Sequence, residues 1–137
     1  MFPFFGRRNR KLTSGTADHP TPQDVFRAMI VRIVEEDWEH VTFEADSGNG
    51  WAQVAPDKPG RFVVNFKYPF VGGVQPVLAQ RGISLPQGSE VVYEDSGTAA
   101  TITFSTLEGY LAVAFLDEVF VRLFGCLCDY VVTASLD

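Results

Sequence analysis

Apolar and polar residues alternate along the chain between residues 41 and 68, and this alternation restricts the fold more than any other feature of the sequence. Three stretches carry it, Val41–Asp46, Trp51–Ala55 and Arg61–Tyr68, with turn-forming residues at 47–50 and 56–60 between them. Successive side chains of a β-strand point to opposite faces, so a period of two predicts strands with one buried and one solvated face. Short turns between such strands favour an antiparallel three-stranded meander, whose apolar face needs a second layer to cover it.

A helical pattern comes directly before the meander. Thr21 is a good N-cap, Pro22 suits the first helical position, and the acidic Asp24 suits the first turn, so a helix is predicted to start here and to end near Asp37. The apolar residues that follow Asp24 recur at helical spacing and form a single stripe, which consists of Val25, Phe26, Met29, Ile30, Ile33 and Val34. This helix can therefore cover the apolar face of the sheet.

Beyond Tyr68 the chain adds further helices and strands. A short helix is predicted over residues 74–82, a hairpin over 90–94 and 98–104, and a helix that opens with a capping box at 105–108 and ends at Gly125. The element order is α-β-β-β-α-β-β-α, followed by one more strand if residues 130–134 form it. The sequence thus predicts an α+β fold with an antiparallel sheet of five or six strands and helices on one face.

Charge and composition divide the chain into a tail, residues 1–20, and one domain, residues 21–137. The tail holds three phenylalanines and four of the eleven basic residues, and its turn-forming residues predict a disordered basic and aromatic terminus, with a weak membrane or partner anchor as the alternative. The other seven basic residues and all 17 acidic ones follow position 12, so the chain beyond that position has a formal charge of −10 and would repel nucleic acid. Because no apolar run approaches the roughly 18 residues of a membrane span, we expect no integral membrane segment and a cytoplasmic location.

The residue types that carry catalysis or bind metals are poorly placed in this sequence. His19 lies in the tail and His40 at the start of a strand, so a histidine-based triad or a two-histidine metal site is not expected. Cys126 and Cys128 are separated by one residue among apolar neighbours, which favours buried small hydrophobes over a redox or metal pair. An acid pair formed by Asp46 and a later strand carboxylate, Glu94, is the remaining enzymatic possibility. We therefore predict no catalytic, cofactor or metal site.

The side of the sheet that faces away from the helices, here called the open face, is the candidate binding surface. Alternation places on it Thr42, Glu44, Trp51, Gln53, Arg61, Val63, Asn65, Lys67, Val92, Glu94, Thr101 and Thr103. A polar face that also carries a tryptophan and valines can bind an extended peptide or another subunit, and a solvated sheet face is the alternative. The partner-binding residues predicted from this pattern are Trp51, Gln53, Arg61, Val63, Asn65 and Lys67.

Three stretches resemble a known family. They are Gly50-Trp51-Ala52-Gln53-Val54-Ala55-Pro56, Arg61-Phe62-Val63-Val64-Asn65, and Leu116-Asp117-Glu118-Val119-Phe120-Val121-Arg122-Leu123-Phe124-Gly125. The first two are similar to adjacent strands, and the third to the closing helix, of YbjN-like proteins and the type III secretion chaperone (CesT-type) fold, including actinobacterial peptide-binding chaperone-like domains. The resemblance implies a non-enzymatic protein, often a homodimer, that binds a polypeptide segment of another protein, and it supplies no catalytic residues.

Two other functions remain open at this point. One is a small-ligand-binding or enzymatic domain of the cone-shaped α+β type, with a pocket between the sheet and the helices. The other is a structural subunit of a larger complex, which would expose a large apolar patch instead of a polar face.

Overall fold

The computed structural model describes residues 10–58, 60–104, 109–127 and 129–137. The capping box expected at 105–108 and Cys128 lie outside the described residues, as do residues 1–9 of the expected tail. The elements in chain order are β1 (Lys11–Thr13), α1 (Pro22–Glu35), β2 (Val41–Ala45), β3 (Trp51–Pro56), β4 (Phe62–Lys67), α2 (Val74–Gln80), β5 (Glu90–Asp95), β6 (Ala99–Phe104), α3 (Gly109–Glu118), a π-helical turn (Val119–Leu123) and β7 (Val132–Leu136).

The seven strands form one antiparallel sheet in the order β1-β7-β2-β3-β4-β6-β5. The expected α+β class is confirmed, whereas the expected count of five or six strands is wrong. The additional strand is β1, which lies in the segment that composition assigned to a disordered tail. It is ordered by pairing along β7 and by Ser14, which accepts a hydrogen bond from the Val132 N–H at 2.9 Å.

The α1 helix begins where the sequence predicts and ends two residues early. Thr21 is the N-cap, and a reciprocal pair of hydrogen bonds joins it to Asp24. The helix stops at Glu35, and Asp37 follows with a φ of 59°, a left-handed conformation that reverses the chain toward β2. The apolar stripe of α1 is buried with the exception of Val34, which is half exposed near the end of the helix.

The hydrophobic core lies between one face of the sheet and the helices. The inward residues of the central strands are fully buried, and aromatic contacts join them to the helices: Phe43 contacts Phe26 of α1, while Phe66 and Phe104 both contact Phe115 of α3. The prediction of helices on one face is therefore confirmed for the described elements, and the opposite side of the sheet is the open face.

Candidate binding face

On the open face, the strand register aligns polar side chains in a continuous row that crosses all seven strands of the sheet. From β1 to β5 this row consists of Lys11, Ser135, Thr42, Gln53, Asn65, Thr101 and Tyr93. Gln53 donates from Nε2 to the Thr42 hydroxyl at 3.1 Å, and the Thr101 hydroxyl donates to Asn65 Oδ1 at 3.1 Å. These two hydrogen bonds link four of the seven side chains in the row.

Trp51 is a large aromatic side chain of this surface, and it lies on the central strand of the sheet. It is half-buried, it faces Glu44 of β2, and the β3–β4 register continued by one residue places Lys67 on its other side. An indole between a carboxylate and an ammonium keeps an apolar surface partly exposed, with charges of both signs at its edges. Such a side chain can bind an apolar group of a partner while the flanking charges fix its orientation.

The structure places the six predicted binding residues in two locations. Five of them, Trp51, Gln53, Val63, Asn65 and Lys67, lie half-buried on adjacent strands of the open face. Arg61 precedes β4 and lines a cavity of about 400 Å³ between the β3–β4 turn and the end of α1, together with Val34, Asp37 and Lys58 among others. Its Nε atom is buried and has no hydrogen-bond partner within the described part of the chain. The predicted set is therefore one cluster of five residues with Arg61 at the end of the sheet.

A β-bulge at Val92 changes which residues of β5 lie on the open face. The register passes from Val91 opposite Ile102 to Tyr93 opposite Thr101, so Val92 is the extra residue. As a result, Tyr93 and Asp95 share the open face with Glu90. The expected placement of Val92 and Glu94 on this face came from uninterrupted alternation, which the bulge breaks.

Glu94 has a structural role on the helix side of the sheet. Its Oε1 accepts a hydrogen bond from the backbone N–H of Val74, the first residue of α2, at 2.6 Å. A carboxylate at a helix N-terminus satisfies a free backbone donor and interacts favourably with the helix dipole. The hypothesis that Glu94 meets Asp46 in an acid pair is wrong, because Asp46 follows β2, which is four strands away from β5 in the sheet.

The remaining titratable candidates lie apart from the open face. His40 Nε2 lies 3.5 Å from Asp137 Oδ2 at the surface. Cys126 is buried beside a cavity of about 440 Å³, and this burial raises the pKa of its thiol. Among the described residues, His, Cys, Asp and Glu side chains do not gather in any group of three that could hold a metal ion. Across the same residues, none of the helices has the length and apolar character needed to cross a membrane.

Thr103 is a polar residue of the open face that no sequence pattern distinguishes from its neighbours there. It lies opposite Val63 of β4 and Glu90 of β5 and is only 4% exposed. Its hydroxyl has no hydrogen-bond partner within the residues described, although buried hydroxyls are normally bonded. This face therefore contains a buried polar atom with unused hydrogen-bonding capacity next to the edge strand.

Comparison with known proteins gives no relative for this chain: no family model, no curated protein and no solved structure matches it.

Proposed function

We propose that this protein is a non-enzymatic, chaperone-like protein that binds an extended polypeptide segment of another protein on the open face of its sheet. The observation that carries the proposal is the position of Trp51, half-buried on the central strand of a seven-stranded sheet, on the side opposite the helices. An extended segment that crosses this face would meet an aromatic side chain to pack against and a row of hydroxyl and amide groups to bond with its backbone.

The resemblance to YbjN-like proteins and type III secretion chaperones points to the same function and adds a first feature to the proposal, a homodimeric assembly. The composition of the chain adds a second feature, a cytoplasmic location. Sedimentation of the purified full chain tests the first feature, and a single monomeric boundary at the concentrations where peptides bind would remove it from the proposal.

A double substitution at the centre of the open face tests the binding site. We expect Trp51→Ala combined with Lys67→Glu to abolish binding of extended peptides, because it removes the aromatic contact and reverses the adjacent charge. Both side chains are only half-buried, so the melting temperature should stay within a few degrees of the original. Binding is measured by fluorescence anisotropy with a panel of labelled peptides of defined sequence that contain no helix-forming pattern.

The matched control changes the same kinds of residue on the helical side of the molecule. Val31→Ala combined with Arg27→Glu also removes an exposed apolar group and reverses a charge, since Val31 is 46% exposed and the Arg27 side chain 60% exposed on α1. This control should bind like the unmodified protein. Equal binding by both double variants would refute the open-face site, and a panel in which no peptide binds the unmodified protein would refute the proposed function.

Trp51 also offers a direct signal of binding. The other tryptophan, Trp38, is 5% exposed, and its Nε1 donates to Glu36 at 2.8 Å, so Trp38→Phe leaves Trp51 as the sole indole reporter. A peptide that covers Trp51 should shift its emission to shorter wavelength by removing water from the ring. An unchanged spectrum at saturating peptide would place the bound segment elsewhere on the protein.

A further inference from the structure

Strand β5 forms one edge of the sheet. Its single neighbour is β6, and no other strand of the described chain pairs with it. The strand is six residues long, whereas β1 at the opposite edge has three. The outer N–H and C=O groups of an edge strand can pair with an added chain, so β5 is the better of the two edges for strand addition.

The bulge arranges the side chains of β5 at a regular spacing along this edge. Glu90, Tyr93 and Asp95 lie opposite Thr103, Thr101 and Ala99, which are alternate residues of the regular strand β6. The three side chains therefore have the spacing of positions i, i+2 and i+4 in an ordinary strand. All three are exposed, and Tyr93 is 54% exposed.

The charges along this edge select the kind of segment that can pair with it. Neither Glu90 nor Asp95 forms an ion pair with any residue that the structure describes. A second copy of β5 paired antiparallel would place acidic residues opposite acidic residues, and like charges directly opposite each other destabilise a strand pair. A basic segment would instead place opposite charges together at both ends of the strand.

We propose that β5 takes, as an eighth strand, an extended segment of another protein that has Lys or Arg at positions i and i+4 and an apolar or aromatic residue at position i+2. The two basic residues lie opposite Glu90 and Asp95, and the central residue packs against Tyr93 on the open face. This inference rests on the proposed polypeptide binding and adds a second site at the edge of the sheet, which β4 and β6 separate from Trp51 on β3.

The test uses the full chain and three labelled peptides. The first is Thr-Lys-Thr-Tyr-Thr-Lys-Thr, the second has Glu in place of both Lys, and the third has the first sequence with N-methyl groups on the backbone amides of the two Thr residues that flank Tyr. N-methylation removes donors to the sheet edge and keeps the charge. We expect the first peptide to bind, the acidic peptide to bind at least about tenfold more weakly, and the methylated peptide to lose binding to a similar extent.

Charge reversal on the protein locates the site. We expect Glu90→Lys combined with Asp95→Lys to weaken binding of the basic peptide about tenfold. The control, Asp18→Lys combined with Glu35→Lys, makes the same change in net charge at exposed positions away from β5 and should leave binding within about twofold. Thermal melting of each variant shows whether it has folded. Hydrogen exchange should in addition show that residues 90–95 become protected when the basic peptide binds.

The outcomes separate this inference from the proposed function. If the acidic and basic peptides bind equally and Glu90→Lys with Asp95→Lys has no effect, while Trp51→Ala with Lys67→Glu abolishes binding, the protein binds peptides on its open face and the inference about β5 is wrong. If both pairs of charge reversals weaken binding equally, the basic peptide responds only to net charge, and the inference is again wrong. Weakening by the β5 pair and by N-methylation, but not by the control pair, supports it.

Discussion

Gly50 lies in very close contact with Phe124, the residue after the π-helical turn, and replacing Gly50 with alanine tests how tightly this ring packs on the sheet. A Cβ atom at Gly50 would come within 2.5 Å of three carbon atoms of the Phe124 ring. The ring is 9% exposed and packs edge-on against Phe120 with their centroids 5.1 Å apart. One of the three atoms is Cγ, where the ring joins the rest of the side chain, so moving only the far end of the ring does not relieve the clash. Phe124 must therefore shift within its packing against Phe120 or leave the core.

The size of the effect follows from this geometry. Overpacking of a core typically costs about 1–3 kcal/mol, and the close approach to three ring atoms favours the middle or upper part of that range. For a chain of 137 residues the entropy of unfolding is about 0.3 kcal/mol/K, so a loss of about 2 kcal/mol lowers the melting temperature by about 7 °C.

Chemical and thermal denaturation of four proteins measure the coupling between the two sites. They are the unmodified chain, Gly50→Ala, Phe124→Ala and the double variant. Gly73→Ala is the control, because Gly73 has a φ of −65° that alanine accepts and a Cβ there would come no closer than 3.3 Å to another atom, Pro76 Cδ. We expect Gly50→Ala to cost about 2 kcal/mol alone and close to nothing once the ring is absent. The same cost in both backgrounds would refute the contact as the cause.

Two further predictions concern buried and helix-capping hydrogen bonds. Hydrogen bonds from Thr21 hold the pKa of Asp24 below its usual range, so their contribution to folding stability is present above about pH 4 and is lost as the pH falls through the lower folded-state pKa. In acid denaturation, Asp24→Asn should reduce this loss of stability, and Thr21→Ala should cost about 1 kcal/mol. The same loss of stability at low pH in Asp24→Asn as in the unmodified chain would contradict the assignment. The Tyr130 hydroxyl donates to Asp117 Oδ1 at 3.0 Å, and burial raises its pKa, so its contribution is present below about pH 10 and is lost as the pH rises further. Tyr130→Phe should therefore cost about 1–2 kcal/mol at neutral pH and less at alkaline pH in urea titrations, and equal costs at the two pH values would argue against it.

The meander and the first helix could be predicted from sequence because each has strong local signals. The period of two in residues 41–68 identifies the buried faces of β2, β3 and β4, and the capping residues Thr21 and Asp24 locate the start of α1. Trp51 is placed on the open face by the same alternation. These features depend on near neighbours in the chain, so a single sequence is enough to find them.

The features that sequence reasoning missed depend on distant residues. β1 has three residues and no periodicity of its own, and it becomes a strand because β7 is beside it. The bulge at Val92 follows another valine, so the alternation of β5 does not show which residue is extra. For this reason uninterrupted alternation placed Glu94 on the open face and did not identify Tyr93 and Asp95. The sequence signal that was available is charge: three of the six residues of β5 are acidic, and such a strand is unlike an edge strand that pairs with its own copy.

The position of β7 has a consequence for the order of events during folding. This strand lies between β1 and β2, and the hydrogen bond from Val132 to Ser14 joins residues that are 118 positions apart. During synthesis, β2, β3 and β4 can pair as soon as they emerge, whereas β1 has no partner until residues 132–136 have been made. The half of the sheet that contains β1 therefore closes last, and until it does the outer edge of β2 is an unprotected strand edge in the nascent protein.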